Sequence, residues 1–221
     1  SLSDNYVFAI ATDNQNRLIV GTKSGLNIYN KAKNEFDRYY INGLLKDNPI
    51  RNICVSKDES VYIATVWQGI LHLDKNFKLI NQYKIDNQPK EKQVSVIFED
   101  KSGLIWFGGI NKGLCVLNPG NNTLQRFTIN DGIEDNNNIR AIEDDGKGNL
   151  IIGTFNGLYL FNKATASFTA FSKLYIPGGE INHYSILSVK YDNAGTLWVG
   201  TYAGGVSSYH PNNKRFAYFN P

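Results

Sequence analysis

Along this chain, short apolar runs alternate with polar turn residues at a regular beat. The run Leu197-Trp198-Val199-Gly200-Thr201 has four counterparts: Leu18-Ile19-Val20-Gly21-Thr22, Val61-Tyr62-Ile63-Ala64-Thr65, Ile105-Trp106-Phe107-Gly108-Gly109 and Leu150-Ile151-Ile152-Gly153-Thr154. Their fourth positions are 21, 64, 108, 153 and 200, in steps of 43, 44, 45 and 47 residues. An internal repeat of that length dictates the fold before any local reading does.

Each repeat offers the same four apolar pieces. The first carries an inward residue eleven positions before the anchor: Ile10, Ile53, Ile97, Ile142 or Val189. Three residues on stands Asp13, Ser56, Asp100, Asp145 or Asp192, and three further Asn16, Glu59, Gly103, Gly148 or Gly195. Asp opens a turn by accepting backbone N–H groups, and Gly or Asn tolerates positive φ, so this spacing predicts a hairpin into the second strand. The third strand starts at Gly25, Gly69, Gly113, Gly157 or Gly205 and ends at Asn30, Asp74, Asn118, Asn162 or His210. The fourth carries the pairs Phe36/Tyr39, Ile80/Tyr83, Leu124/Phe127, Phe168/Phe171 and Phe216/Phe219.

Four antiparallel strands in each unit of ~40–45 residues is the arithmetic of a β-propeller blade. The expected fold is all-β, a single domain over 1–221 with blades near 5–40, 48–83, 92–128, 137–172 and 184–219. No long stretch has a 3.6-residue period, so helices should be nearly absent. A β-helix would need shorter rungs, and a sandwich would not need five registered copies. The connectors between blades are Gly43 to Asn48, Gln88 to Gln93, Asp131 to Asn137 and Pro177 to His183, two of them opening as Asn42-Gly43-Leu44 and Asp131-Gly132-Ile133. Five blades are expected to be part of a seven-bladed propeller rather than a closed five-bladed ring. An open wedge would expose an apolar sheet face at either end.

Composition narrows the function classes. Of the 221 residues 42% are hydrophobic, enough for a sizeable core. Net charge is +3 and the densest basic cluster, Lys90 to Lys92, is broken by Glu91, which does not describe a nucleic-acid surface. No run reaches transmembrane length and none has signal-peptide form. The chain opens on Ser1 and lacks Met, which predicts a trimmed piece of something longer. Cys54 and Cys115 occupy different repeat positions and are read as separate core thiols.

Asp100-Lys101-Ser102-Gly103-Leu104-Ile105-Trp106-Phe107-Gly108 and Asp192-Asn193-Ala194-Gly195-Thr196-Leu197-Trp198-Val199-Gly200-Thr201 resemble the pattern D-x-x-G-x-[LI]-W-[IVF]-G-T, with Gly109 standing where Thr is expected. Gly205-Val206-Ser207-Ser208-Tyr209-His210-Pro211 resembles its continuation, G-L-x-x-[YF]-[DN]-P. Together they resemble the regulator-propeller repeats in the sensor regions of Bacteroides-type hybrid two-component histidine kinases. Departures are Ala64 for Gly, and Ile19, Tyr62 and Ile151 for Trp. The resemblance implies a periplasmic sensor of glycan fragments, tied to the membrane and to a kinase through segments outside this chain. It also implies an oligosaccharide ligand, self-association through the whole sensor region, and no nucleic-acid binding by this part.

The residues themselves show no enzyme. His72, His183 and His210 are dispersed, and there is no visible metal motif, cofactor motif, phosphate loop or nucleophile elbow. The aspartates recur once per repeat, and recurrence marks a turn role rather than a carboxylate pair for glycoside hydrolysis. The Gly-Thr pairs recur too, as packing elements. Trp198, at a position shared with Ile19, Tyr62, Trp106 and Ile151, is expected in the core between blades. Variable groups belong on the loops joining second and third strands, which share a face with the connectors. There Trp67, Phe155 and Tyr202 are candidates for stacking on sugar rings, with Gln68, Asn111 and Asn156 as amide partners and Lys112 beside them. A protein-binding or dimerising scaffold is the alternative, and a propeller lyase or hydrolase the third reading.

Overall fold

The computed structural model describes residues 1–84, 93–130, 134–174, 177 and 179–219. Lys90 to Lys92, most of the connector Gln88 to Gln93, the start Asp131-Gly132-Ile133 and part of the connector Pro177 to His183 lie outside the described residues.

Twenty strands form among the described residues. The first sheet is β1 (Val7–Thr12), β2 (Leu18–Thr22), β3 (Gly25–Asn30) and β4 (Glu35–Tyr39). The second is β5 (Ile50–Val55), β6 (Val61–Thr65), β7 (Ile70–Leu73) and β8 (Leu79–Tyr83). The third is β9 (Val94–Glu99), β10 (Ile105–Gly109), β11 (Gly113–Asn118) and β12 (Thr123–Phe127). The fourth is β13 (Ile139–Asp144), β14 (Asn149–Thr154), β15 (Gly157–Asn162) and β16 (Ser167–Ala170). The fifth is β17 (Ile186–Tyr191), β18 (Leu197–Thr201), β19 (Val206–His210) and β20 (Arg215–Phe219). Every sheet has four strands hydrogen-bonded in chain order, the blade pattern the repeat predicts. The helices among the described residues are two short 3-10 turns, Glu134–Asn137 and Phe171–Lys173.

The hairpin between first and second strands forms as the Asp spacing requires. One carboxylate oxygen of Asp13 accepts the amides of Gln15 and Arg17; Asp100 does the same for Ser102 and Leu104, Asp145 for Lys147 and Asn149, and Asp192 for Ala194 and Thr196. In the second repeat Asp58 takes over, accepting the Ser60 amide, while the Ser56 hydroxyl donates to Glu99. The other oxygen of Asp100 accepts the Trp106 indole N–H at 2.9 Å, and that of Asp192 the Trp198 indole at 2.9 Å. The Asp and Trp of the repeat are thus one hydrogen-bonded unit. Burial opposes ionisation of Asp100, but the Ser102, Trp106 and backbone donors outweigh it and hold its carboxyl below the ordinary value.

The chain divides into two compact units, Ser1–Ile110 with Leu117–Thr123, and Asn111–Val116 with Leu124–Pro221. In the first, β1 lies beside β5 and β5 beside β9, so the opening strands of successive sheets are neighbours. Its core gathers Ile19, Leu26, Leu45, Ile50, Ile63 and Leu71. In the second, β13 lies beside β17, and Ile151, Leu158, Ile186, Val199 and Tyr209 share one core. The anchor glycines explain how sheets come this close. A Cβ at Gly21 would stand 2.5 Å from Ile50 Cγ2, and one at Gly153 2.5 Å from Ile186 Cγ2. Where the anchor is Ala64, the residue equivalent to Ile50 and Ile186 is the smaller Val94. Gly109 replaces Thr for a similar reason: a Cβ there would fall 1.9 Å from the Gln93 carbonyl oxygen.

Two expected core positions differ. Ile97, Ile142 and Val189 are buried, but Ile10 is 67% exposed, because no other sheet of its unit covers that face of the first sheet. Trp106 is buried, whereas Trp198 is 37% exposed and packs at a tilt against Phe219 on a face of the fifth sheet that no other sheet of its unit covers. Cys115 is buried and Cys54 half-buried, its thiol pushed up to about 11 by burial.

Candidate functional site

The loops after four of the five second strands, those of the first, second, fourth and fifth sheets, share one bracing scheme. The Thr ending that strand donates its hydroxyl to the carbonyl that opens the third: Thr22 to Gly25, Thr65 to Gly69, Thr154 to Gly157 and Thr201 to Gly205. The same oxygen accepts a loop amide, from Ser24, Gln68, Asn156 or Gly204. The residue after Thr donates its amide to the carbonyl just before or near the start of the first strand: Lys23 to Tyr6, Val66 to Pro49, Phe155 to Asn138 and Tyr202 to Ser185. Backbone groups at the tip are thereby satisfied by fixed partners, and the side chains point outward from a rigid base. This is the role of the recurring Gly-Thr pair.

In the second unit, two of these loops and the connector before β17 enclose a cleft of about 750 Å3 lined by Arg140, Phe155, Asn156, Asn182, His183, Tyr184, Ser185 and Tyr202. Phe155, Tyr184 and Tyr202 are 50%, 55% and 72% exposed, so three aromatic rings stand open around it. Arg140, the second residue of β13, is half-buried. Its guanidinium lies over the Phe155 ring, 5.4 Å from the centroid, and donates to Ser185 Oγ at 2.9 Å. His183 Nδ1 accepts the Ser185 amide at 3.1 Å, which places the proton of the neutral ring on Nε2. Asn182 donates to the Gly204 carbonyl at 2.7 Å and so ties the connector to the Tyr202 loop. A smaller cavity of about 320 Å3 shares Asn156 and Tyr184 with this cleft and continues over Leu158, Phe171 and Ile181.

The other expected site residues do not line this cleft. Trp67 is 53% exposed on its own loop in the first unit, its amide held by Asn48, and Gln68 beside it accepts from Gln82. Asn111 is exposed in a positive-φ turn, its amide bound to Asn138 and its carbonyl to Arg126. Lys112 is fully buried, so it offers no surface to a ligand. Among the described residues, no three His, Cys, Asp or Glu side chains stand close enough to hold a metal.

A family model described as two component regulator propeller matches residues 1–24 and 180–203. Those two stretches carry the regulator-propeller pattern. The two matched stretches span the opening strands of the first and fifth sheets, and the second takes in Asn182, Tyr184, Ser185 and Tyr202 of the cleft. No curated protein matches the chain. Among solved structures, the chain is similar to the extracellular domain of a protein from B. thetaiotaomicron described as a one component system, with a TM-score of 0.79 and 19% identity over 99% of this chain and 28% of that one. It is also similar to the extracellular domain of a B. thetaiotaomicron protein described as a hybrid two component system, with a TM-score of 0.70 and 22% identity over 100% of this chain and 35% of that one. Virginiamycin B lyase from Staphylococcus aureus aligns with a TM-score of 0.76 and 13% identity over 98% of this chain and 70% of that one. At these identities the likeness is one of fold, the β-propeller. The chain spans about a third of the length of the two B. thetaiotaomicron structures.

Of the candidate residues, the fold brings Phe155, Asn156 and Tyr202 together. Arg140, Asn182, Tyr184 and Ser185 are not among the residues the sequence points to, and His183 enters there only as a connector end and one of three dispersed histidines. The signal that finds them is topological: connectors and second-to-third-strand loops share a face, so the Pro177 to His183 connector had to meet the loops on either side of it.

Proposed function

We propose that this chain is the ligand-sensing propeller portion of a periplasmic receptor of the hybrid two-component type, and that it binds glycan fragments without turning them over. The observation that carries this is the cleft of the second unit, where three open aromatic rings stand beside the amide side chains of Asn156 and Asn182. Flat rings offer apolar faces to the C–H faces of sugars, and amides pair with hydroxyls. The described lining offers Arg140 and His183 but no carboxylate, whereas glycoside hydrolysis ordinarily takes two carboxylates flanking the bond. The regulator-propeller repeats and the extracellular neighbours support the receptor setting. No helix among the described residues is long and apolar enough to cross a membrane. The five sheets are read as part of a seven-bladed propeller, the bare Trp198 and Phe219 face receiving the next blade, and self-association is assigned to the whole receptor.

Calorimetry of the intact extracytoplasmic region against an oligosaccharide panel tests the proposal. Binding is expected, with Tyr202→Ala weakening it by roughly tenfold, the usual loss for one stacking ring of 1–1.5 kcal/mol. Turnover of a saccharide, or no binding across the panel, would refute it.

A further inference from the structure

We infer that the saccharide taken by this cleft is acidic, and that Arg140 reads its carboxylate or sulfate group. The inference rests on the saccharide reading of the cleft and adds the charge of the ligand.

The cleft is electrostatically one-sided. Arg140 is its single permanently charged lining residue, and no Asp or Glu belongs to the described lining. Among the described residues no carboxylate lies within ion-pair distance of Arg140. Arg17 and Lys163, also half-buried, are neutralised by Asp13 at 2.6 Å and Asp144 at 3.0 Å, while Arg51, the second residue of β5 as Arg140 is of β13, lies over the Phe8 ring without an ion pair among the described residues but lines neither of the two cavities of the second unit. Arg140 instead has neutral partners, the Ser185 hydroxyl on one edge and the Phe155 face beneath it. Both fix the guanidinium plane and neither compensates its charge. A guanidinium has five N–H donors, and one of Arg140's is used by Ser185. The remaining donors of a half-buried, pre-oriented fork match two oxygens of a carboxylate or sulfate, and little side-chain entropy is left to lose on binding.

The placement also orients the ligand. Arg140 lines the larger cleft but not the smaller cavity, which is apolar over Leu158, Phe171 and Ile181. The charged group therefore sits at the Arg140 end, against Phe155, with neutral rings running past Tyr184 and Asn156, the two residues both spaces share.

Calorimetry on the intact extracytoplasmic region would use matched pairs: uronate oligosaccharides with their carboxyl-reduced counterparts, and sulfated oligosaccharides with their desulfated counterparts. The acidic member of one pair is expected to bind roughly 10–100-fold more tightly, the scale of a charge-assisted bidentate contact. Which pair shows the difference distinguishes carboxylate from sulfate. Arg140→Gln should remove that preference while leaving the weak neutral binding in place, Arg140→Lys should restore only part of it, and Lys33→Gln, at an exposed turn of the first unit, should change nothing. Neutral members binding as tightly as acidic ones would overturn the inference and leave the saccharide reading standing. No binding by any member would overturn both. If Arg140→Gln fails to fold, the matched pairs on the unaltered protein still decide the matter.

Discussion

The anchor glycine of each repeat yields the sharpest stability prediction. Replacing Gly153 by Ala puts a Cβ 2.5 Å from Ile186 Cγ2, 3.0 Å from Ile186 Cβ and 3.2 Å from Ala141 Cβ. Carbon atoms rest at about 3.5–4.0 Å, so Ile186 must retreat by about 1 Å. It is fully buried, and the shift is transmitted into the core of the second unit. Overpacking of this kind costs typically ~1–3 kcal/mol. The gain from a stiffer unfolded chain, ~0.4–1 kcal/mol for Gly→Ala, offsets a part. A net loss of about 1–2 kcal/mol is expected, read as a lower urea midpoint at unchanged slope. The native Ala64 with Val94 suggests the remedy: Ile186→Val leaves Cγ2 but removes Cδ1, giving the side chain room to move. In a double-mutant cycle it should recover about 0.5–1 kcal/mol of the loss. Gly120→Ala, on an exposed turn where the nearest atom would be Asn118 Oδ1 at 3.3 Å, should stay within about 0.5 kcal/mol of the parent. Gly153→Ala that matches or exceeds the parent in stability, or a cycle with no coupling, would refute the steric account.

Two further outcomes follow from single side chains. Trp106→Phe removes a buried donor from Asp100 and should cost ~1–3 kcal/mol, while Trp198→Phe, beside the exposed Asp192 where water can replace the indole, should cost under ~0.5 kcal/mol; thermal unfolding followed by circular dichroism checks the contrast. His72 is buried with both ring nitrogens lacking a hydrogen-bond partner, stacked on Tyr62 with centroids 4.1 Å apart, and burial lowers its pKa against the opposing charge of Asp58. The unfolded chain therefore takes the proton first as pH falls, so the contribution is fully present above the unfolded value of 6.5 and lost as pH drops from there toward the lowered folded value. Urea unfolding between pH 7.5 and 5.5 should show a slope that His72→Phe reduces, by at most ~1.4 kcal/mol per pH unit; identical slopes would show that His72 does not titrate differently in the two states.

Much of the fold was legible because its causes recur. The Asp spacing and the anchor Gly each solve one steric or hydrogen-bonding problem four times over and the strand-opening Gly five times, and repetition separates them from accident. What recurrence conceals is the difference between equivalent positions. Ile10 and Trp198 match buried counterparts in sequence, yet burial depends on whether a second sheet lies over that face, which is not a property of the residue. Likewise Lys112 sits among loop residues in the sequence but is fully buried in the fold. The cleft was half legible. Phe155, Asn156 and Tyr202 fall on the expected loops, but Arg140 belongs to a strand and Tyr184 and Ser185 follow a connector. Their convergence is a matter of distances across sheets that no local pattern encodes.

The Thr brace beneath four of the loops has a consequence for how such a protein can change. Because the hydroxyl and the upstream carbonyl satisfy the backbone of the tip whatever its side chains are, the two or three residues beyond Thr are insulated from the folding requirements of the blade. Tips become exchangeable cassettes on a constant chassis. Phe155-Asn156 can be traded for Lys23-Ser24 at little cost to the scaffold, and new ligand preferences can be sampled one loop at a time without first passing through an unstable intermediate.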